Sequence, residues 1–119
     1  MRDYKRIKAW GLSDNLAVKI YDHTKHFPKD EMFALTSQMR RASYSVPANI
    51  AEGAGRRTNK DFLHFLDIAK GSINEVQYLI HLAGRLEYLE SNEVIRLTED
   101  ADEVSKCLSG YIKAVESDV

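Results

Sequence analysis

The sequence predicts an all-α protein built as an up-down-up-down four-helix bundle, and three observations predict it. Apolar residues recur at spacings of three and four along most of the chain, which is the period of one helix face. Only two prolines and six glycines fall in 119 residues, so long stretches are free to be helical. The breaks between periodic stretches are short, and short turns between amphipathic helices favour an antiparallel bundle. A chain of this length suffices for a single core, so residues 1–119 are read as one domain. Hydrophobic residues at 44% and charged residues at 29% are ordinary for a globular protein.

The first helix is predicted over residues 4–26, where Ile7, Trp10, Leu12, Leu16, Ile20 and Phe27 are spaced to share a face. His26, Phe27 and Pro28 break it. The second is predicted over 29–54: Pro28 suits an opening turn, Asp30 and Glu31 suit the positive end of the dipole, and Met32, Leu35, Met39, Ala42 and Val46 alternate by three and four. Extending that seam reaches Asn49 and Gly53, beyond a kink expected at Pro47. Gly53 and Gly55 supply the stop, and Thr58 with Asp61 forms an acidic capping signal for a third helix over 59–89. Phe62, Phe65, Ala69, Ile73, Val76, Ile80 and Ala83 make its main stripe, and Leu66, Leu79, Leu82, Leu86 and Leu89 widen it. Such a face is broader than one side of a small bundle covers, which predicts self-association, closed symmetry being its usual outcome. Ser91 or Asn92 is placed to cap the last helix, over 92–116, where Val94, Leu97, Ala101, Val104, Leu108, Tyr111 and Val115 continue the alternation.

Net charge is −1, but the halves differ. Residues 1–60 carry 12 Lys and Arg against 6 Asp and Glu, whereas residues 61–119 carry 5 against 12. Two readings follow: opposite helices attract as the bundle closes, or the basic half presents a face to a polyanion. The sequence has no apolar run long enough to span a bilayer, and its first residues lack the apolar core of a signal peptide, so a cytoplasmic protein without membrane contact is expected. The single cysteine, Cys107, has no internal disulfide partner and reads as a small packed hydrophobe.

The segment Gln38–Arg57 is the unusual one. Pro47 removes a main-chain donor and crowds the carbonyl four residues back, at a cost of about 3 kcal/mol in a helix interior. Around it stand Arg40, Arg41, Ser45, Asn49, Glu52, Arg56 and Arg57. Ser45, Asn49 and Glu52, reaching Ser72 and Glu75 on the third helix, are read as a polar network that serves the carbonyl freed by Pro47 and sets helix register. Arg40, Arg41, Arg56, Arg57 and Lys60 are the candidates for phosphate contact, since cations at an exposed helix turn reach a nucleic-acid backbone as readily as water. Tyr4, Lys5, Arg6 and Lys8 form a second basic patch, read either as a solvated terminus or as part of a binding face.

Catalytic chemistry finds no support. A di-metal bundle site needs two Glu-x-x-His pairs with further acids, and only His23 with His26 and Asp61 with His64 come near that spacing. The serines lack a visible base and orienting acid. Gly53-Ala54-Gly55 follows no strand and is too short for a phosphate loop. Neither a catalytic residue, a metal nor a cofactor is expected.

The ordered set Trp10, Phe27-Pro28, Glu31, Leu35 to Ala42, Ser45-Val46-Pro47-Ala48-Asn49-Ile50-Ala51-Glu52-Gly53, Phe65-Leu66, Ile68-Ala69, Gly71-Ser72 and Glu75 resembles the four-helix-bundle family named for proteins encoded in intervening sequences of bacterial 23S ribosomal RNA. Accessory proteins of diversity-generating retroelements are its relatives. The resemblance implies an antiparallel bundle, homo-oligomers in the form of pentameric rings, no known enzymatic activity, and, for the retroelement relatives, binding to a reverse transcriptase and to RNA or DNA through a basic surface. A sequence pI near 6.4 excludes a whole-molecule polycation and leaves only a local basic face. A protein-binding adaptor or scaffold, for example for a reverse transcriptase, is the alternative to direct nucleic-acid association.

Overall fold

Each periodic stretch forms a helix, and the computed structural model describes residues 2–119. A 3-10 turn at Tyr4–Arg6 leads into α1 (Lys8–Thr24), and another at Lys29–Glu31 precedes α2 (Leu35–Ala54); α3 (Asn59–Arg85) and α4 (Ser91–Glu116) complete the chain. No strand occurs among the described residues. The particle is elongated, with extents of 45 × 24 × 19 Å, as α3 and α4, each about 40 Å long, require when laid side by side.

The helices sit in a ring of four neighbours: α3 packs on α2 and α4, and α1 packs on α2 and α4. Contacts run in inverse order between α2 and α3 and between α3 and α4. Gln38 meets Glu75, Ser45 meets Ser72, and Gly53 meets Phe62 across α2 and α3. Phe62 meets Tyr111, Lys70 meets Ser105, and Gly84 meets Val94 across α3 and α4. The core between them is apolar, with Ile20, Met39, Val46, Ile50, Phe62, Leu66, Ile73, Ile80, Leu97 and Leu108 all within 1% of complete burial. Fully burying a side chain of this size contributes about 1.5–3 kcal/mol. Ser13, Thr24 and Ser43, buried on the same helix faces, return their hydroxyls to carbonyls three or four residues back, so no buried side-chain polar atom is left unpaired among the described residues.

Several boundaries differ from the sequence reading for local reasons. The first helix starts at Lys8 rather than Tyr4, because Asp3 accepts from Lys5 N at 3.1 Å and closes a separate 3-10 turn. The second starts at Leu35 rather than 29: Ala34 has φ −125° and ψ −106°, outside the helical region, and Met32 and Phe33 are turned to solvent. Met32 is therefore not part of the seam. The third helix ends at Arg85, and Glu87, at φ 64°, reverses the chain while Tyr88 N bonds back to Ala83 O at 2.9 Å. Helix α4 starts on Glu90 in place of Ser91 or Asn92, in a reciprocal capping box with Glu93. Thr58 caps α3 as expected, accepting from Asp61 N at 3.1 Å.

Two glycines have roles the sequence reading did not give them. Gly53 does not stop α2: it lies buried inside the helix, and a Cβ there would stand 2.7 Å from Phe65 Cβ. Its missing side chain lets α2 and α3 approach where they converge on their connecting turn. Gly84 does the same for α3 and α4, with Val94 Cγ2 at 2.7 Å from the position a Cβ would take.

Candidate nucleic-acid interface

Helix α2 runs through Pro47 without interruption, and the proline ring is buried. Ser43 O thereby loses the donor that normally stands four residues on. The polar layer does not replace it. Asn49 Nδ2 donates to Ser45 O at 2.8 Å and to Ser45 Oγ at 3.0 Å, and Ser45 Oγ meets Ser72 Oγ at 2.9 Å. Ser45, Asn49 and Ser72 thus form a connected, half-buried link between α2 and α3. The two carboxylates stand outside it: Glu52 pairs with Arg56 Nη2 at 2.6 Å on the surface, and Glu75 accepts from Gln38 Nε2 at 3.3 Å.

The five candidate cations divide into three places. Arg40 is directed at α1, where its Nε donates to Thr24 Oγ1 at 2.9 Å and its guanidinium lies 4.6 Å from the centre of the Tyr21 ring. That side chain holds two helices together and is half-buried. Arg41, one residue and about 100° further round the helix, is exposed on the opposite edge of α2, beside Ser45, Ser72 and Glu75. Arg56, Arg57 and Lys60 are exposed at the turn between α2 and α3, some 22 Å along the α2 axis from Arg41 at 1.5 Å per residue. Arg56 stacks over Phe65 at 4.5 Å while it pairs with Glu52. Among the described residues Arg41, Arg57 and Lys60 enter no ion pair.

Sequence reasoning missed Arg2. Its Nη1 donates to Ala54 O at 3.4 Å and Arg56 O at 2.9 Å, its Nη2 donates to Asn59 Oδ1, and its guanidinium covers Phe62 at 4.3 Å. Carbonyls at the end of α2 lack partners of their own helix, so Arg2 caps α2 and pins the N-terminal segment to the α2–α3 turn. The only signal in the sequence was one more basic residue beside Lys5, Arg6 and Lys8, which no local pattern distinguishes. Arg2 thereby shares a recess with Gly55, Arg56 and Arg57, and Lys5 and Arg6, exposed on a 3-10 turn packed against α2, follow it in the chain at that end. Tyr111 lies beneath this end, edge-on to Phe62 at 5.9 Å. Burial pushes its phenol above the ordinary tyrosine value, and the charge of Arg2 pulls it partly back.

Two polar contacts cross between the basic and acidic halves, an ion pair of Lys19 with Asp100 at 2.8 Å and a hydrogen bond between the His23 ring and Glu93 at 2.7 Å, both joining α1 to α4. Among the described residues, ion pairing between the halves is confined to that seam. Cys107 is half-buried on α4. No group of three or more His, Cys, Asp or Glu side chains is arranged to hold a metal among the described residues, and none of the described helices is long and apolar enough to cross a membrane.

The second surface feature is a groove of about 580 Å³ between α2 and α3, lined mainly by polar groups and bounded by Phe33, Arg41 and Tyr44 on α2 and its approach and by Ser72 and Glu75 on α3. Phe33 is 96% exposed.

Fold and surface together define an all-helical, four-helix protein that carries exposed Arg56, Arg57 and Lys60 at the turn between α2 and α3. The chain belongs to the family described as 23S rRNA-intervening sequence protein, whose profile matches residues 5–110. It is similar to the crystal structure of a protein of unknown function from the S23 ribosomal protein family of Bacteroides thetaiotaomicron, with 28% identity, a TM-score of 0.81, and coverage of 88% of this chain and 95% of that one. No curated protein matches it.

Proposed function

We propose that the chain is a non-enzymatic, cytoplasmic, homo-oligomeric bundle that holds RNA or DNA on the basic end formed by the N-terminal segment and the α2–α3 turn. One observation carries the reading: the bonds of Arg2 to Ala54 O and Arg56 O bring Lys5 and Arg6 to the end occupied by Arg56, Arg57 and Lys60. Phosphate contacts of this kind position a nucleic acid without reading its sequence. The inverse order of contacts between α2 and α3 and between α3 and α4 supports an up-down-up-down, antiparallel arrangement, and a bend in α2 is proposed at Pro47. Self-association into a closed ring, pentameric by the family resemblance, draws support from Ile68 and Tyr78, which leave apolar surface exposed on α3. Several copies of a modest patch engage one polyanion with avidity when ring geometry lets them bind together.

Binding to single- and double-stranded RNA and DNA, followed by fluorescence anisotropy across a salt series, tests this. Affinity falls as salt rises, by roughly a factor of ten for each phosphate contact per tenfold rise in salt. Arg56→Glu with Arg57→Glu lowers affinity at least tenfold and flattens the salt slope. Affinity indifferent to both salt and the double substitution disproves the reading. A protein-binding adaptor, for example for a reverse transcriptase, is the second reading, favoured by Val18 and Ile95, each 58% exposed. A stoichiometric protein partner that survives nuclease treatment supports that reading instead.

A further inference from the structure

The groove between α2 and α3 is separate from the basic end, and its composition is specific. Phe33 presents an almost completely exposed aromatic face at its mouth. Arg41 stands on its wall with no carboxylate partner among the described residues. Its floor carries the Ser45–Ser72 hydroxyl pair, and its far wall carries Glu75, one oxygen of which accepts from Gln38 at 3.3 Å. An apolar helix seeks a groove lined with aliphatic groups, and this lining is predominantly polar. A stacking ring, an unpartnered guanidinium and hydrogen-bonding groups in one recess are the set that captures an unstacked base, with the ring on its face, the cation on its phosphate and polar groups on its edge.

We infer that this groove takes a single unpaired guanine of a single-stranded nucleic acid, stacked on Phe33 with its phosphate at Arg41 and its Watson–Crick edge at Glu75. The inference rests on the nucleic-acid reading above. It adds a base-recognising site to a backbone-binding end. The choice of base follows from Glu75, which when ionised only accepts. Guanine offers two adjacent donors, N1–H and the N2 amino group, to the two carboxylate oxygens. Uracil offers one N–H flanked by two carbonyl oxygens, which a carboxylate repels. Stacking on Phe33 requires the base to leave any duplex, so a paired strand is excluded from the groove while remaining acceptable to the basic end.

The test uses labelled single strands of about ten nucleotides, one all-uridine and one with a single central guanine, and a blunt duplex of equal length. Anisotropy titrations at one salt concentration are expected to show the guanine strand bound about tenfold tighter than the all-uridine strand. Phe33→Ala lowers affinity for the guanine strand about tenfold and leaves duplex binding unchanged. Glu75→Gln abolishes the preference for guanine. Arg56→Glu with Arg57→Glu weakens every strand while preserving the ratio between them. Both groove residues are exposed, and an unchanged thermal melt followed by circular dichroism establishes that the variants are folded. Equal affinity for the two single strands overturns the inference, as does Phe33→Ala without effect; in either case salt-sensitive binding through Arg56 and Arg57 leaves the broader reading standing. A lower oligomeric mass for Phe33→Ala assigns the groove to a second copy of the chain and also overturns it. Absence of binding to any strand removes the broader reading and this one together.

Discussion

At Gly53 the absence of a side chain carries structural weight. Alanine there would raise intrinsic helix propensity by about 1 kcal/mol, but its Cβ would meet Phe65 Cβ at 2.7 Å. Phe65 Cβ is fixed directly to the α3 backbone, so no rotamer change relieves the contact and the helices must part. Overpacking of this kind costs about 1–3 kcal/mol, and Gly53→Ala is expected to be net destabilising by about 1 kcal/mol in urea unfolding. An increase in stability would show that α3 moves aside freely. Arg2 acts at the same end through the main chain. Arg2→Ala removes the donors to Ala54 O and Arg56 O and the cover over Phe62. The expected loss is about 1–2 kcal/mol, with faster amide exchange confined to the end of α2 and the start of α3. Uniform exchange throughout the chain would remove the capping role.

Between elements, the seam joining α1 to the start of α4 is the acid-sensitive one. Glu93 accepts from Glu90 N at 2.9 Å and lies 2.7 Å from the His23 ring. The main-chain bond from Glu90 is the largest cause holding its carboxyl below the ordinary value; burial opposes it, and the bond and charge of His23, with the charge of His26, add to the lowering. A carboxyl lowered in the folded state stabilises the fold above its unfolded value, and this contribution is lost as pH falls through the folded one. Glu93→Gln is therefore expected to cost about 0.5–1 kcal/mol at neutral pH and to flatten the acid limb of a plot of stability against pH. Parallel acid limbs for the two proteins would disprove the assignment. At the same end of the bundle, Tyr88 donates to Glu31 at 2.8 Å and packs on Phe27. The hydrogen bond to Glu31 is the first cause that raises its phenol.

For the whole molecule, the distribution of charge matters more than its sum. Nearly neutral overall, the chain has only local groups of cations to offer a polyanion, so the proposed binding is short-ranged and is screened beyond a Debye length of about 8 Å at physiological ionic strength. Self-association is tested directly by light scattering on size-exclusion fractions: a mass that is an integer multiple of 13.6 kDa, five-fold for the proposed ring, is expected. A species of 13.6 kDa at all concentrations would remove avidity from the functional reading. The broad apolar face of α3 no longer argues for a ring by itself, since Leu66, Leu79 and Leu89 are buried within the chain and α3 lies between α2 and α4.

Four helices, most of their core positions and the Thr58 cap were legible in the sequence, because helix periodicity and capping depend on residues a few positions apart. Of the polar network read from the sequence, Asn49, Ser45 and Ser72 are joined by hydrogen bonds, whereas Glu52 and Glu75 stand outside it and the carbonyl freed by Pro47 is not served. The division of the five cations was not legible. Arg40 and Arg41 are adjacent in the chain, yet one is drawn to Thr24 and Tyr21 and the other faces a groove, because a single residue step turns the side chain by about 100° and only the neighbouring helices decide what it meets. Arg2 and Asn59 come together in the same way, as does the close approach at Gly53. Local order follows from short-range periodicity; which charges remain free follows from packing between segments distant in the chain, and no local pattern encodes that.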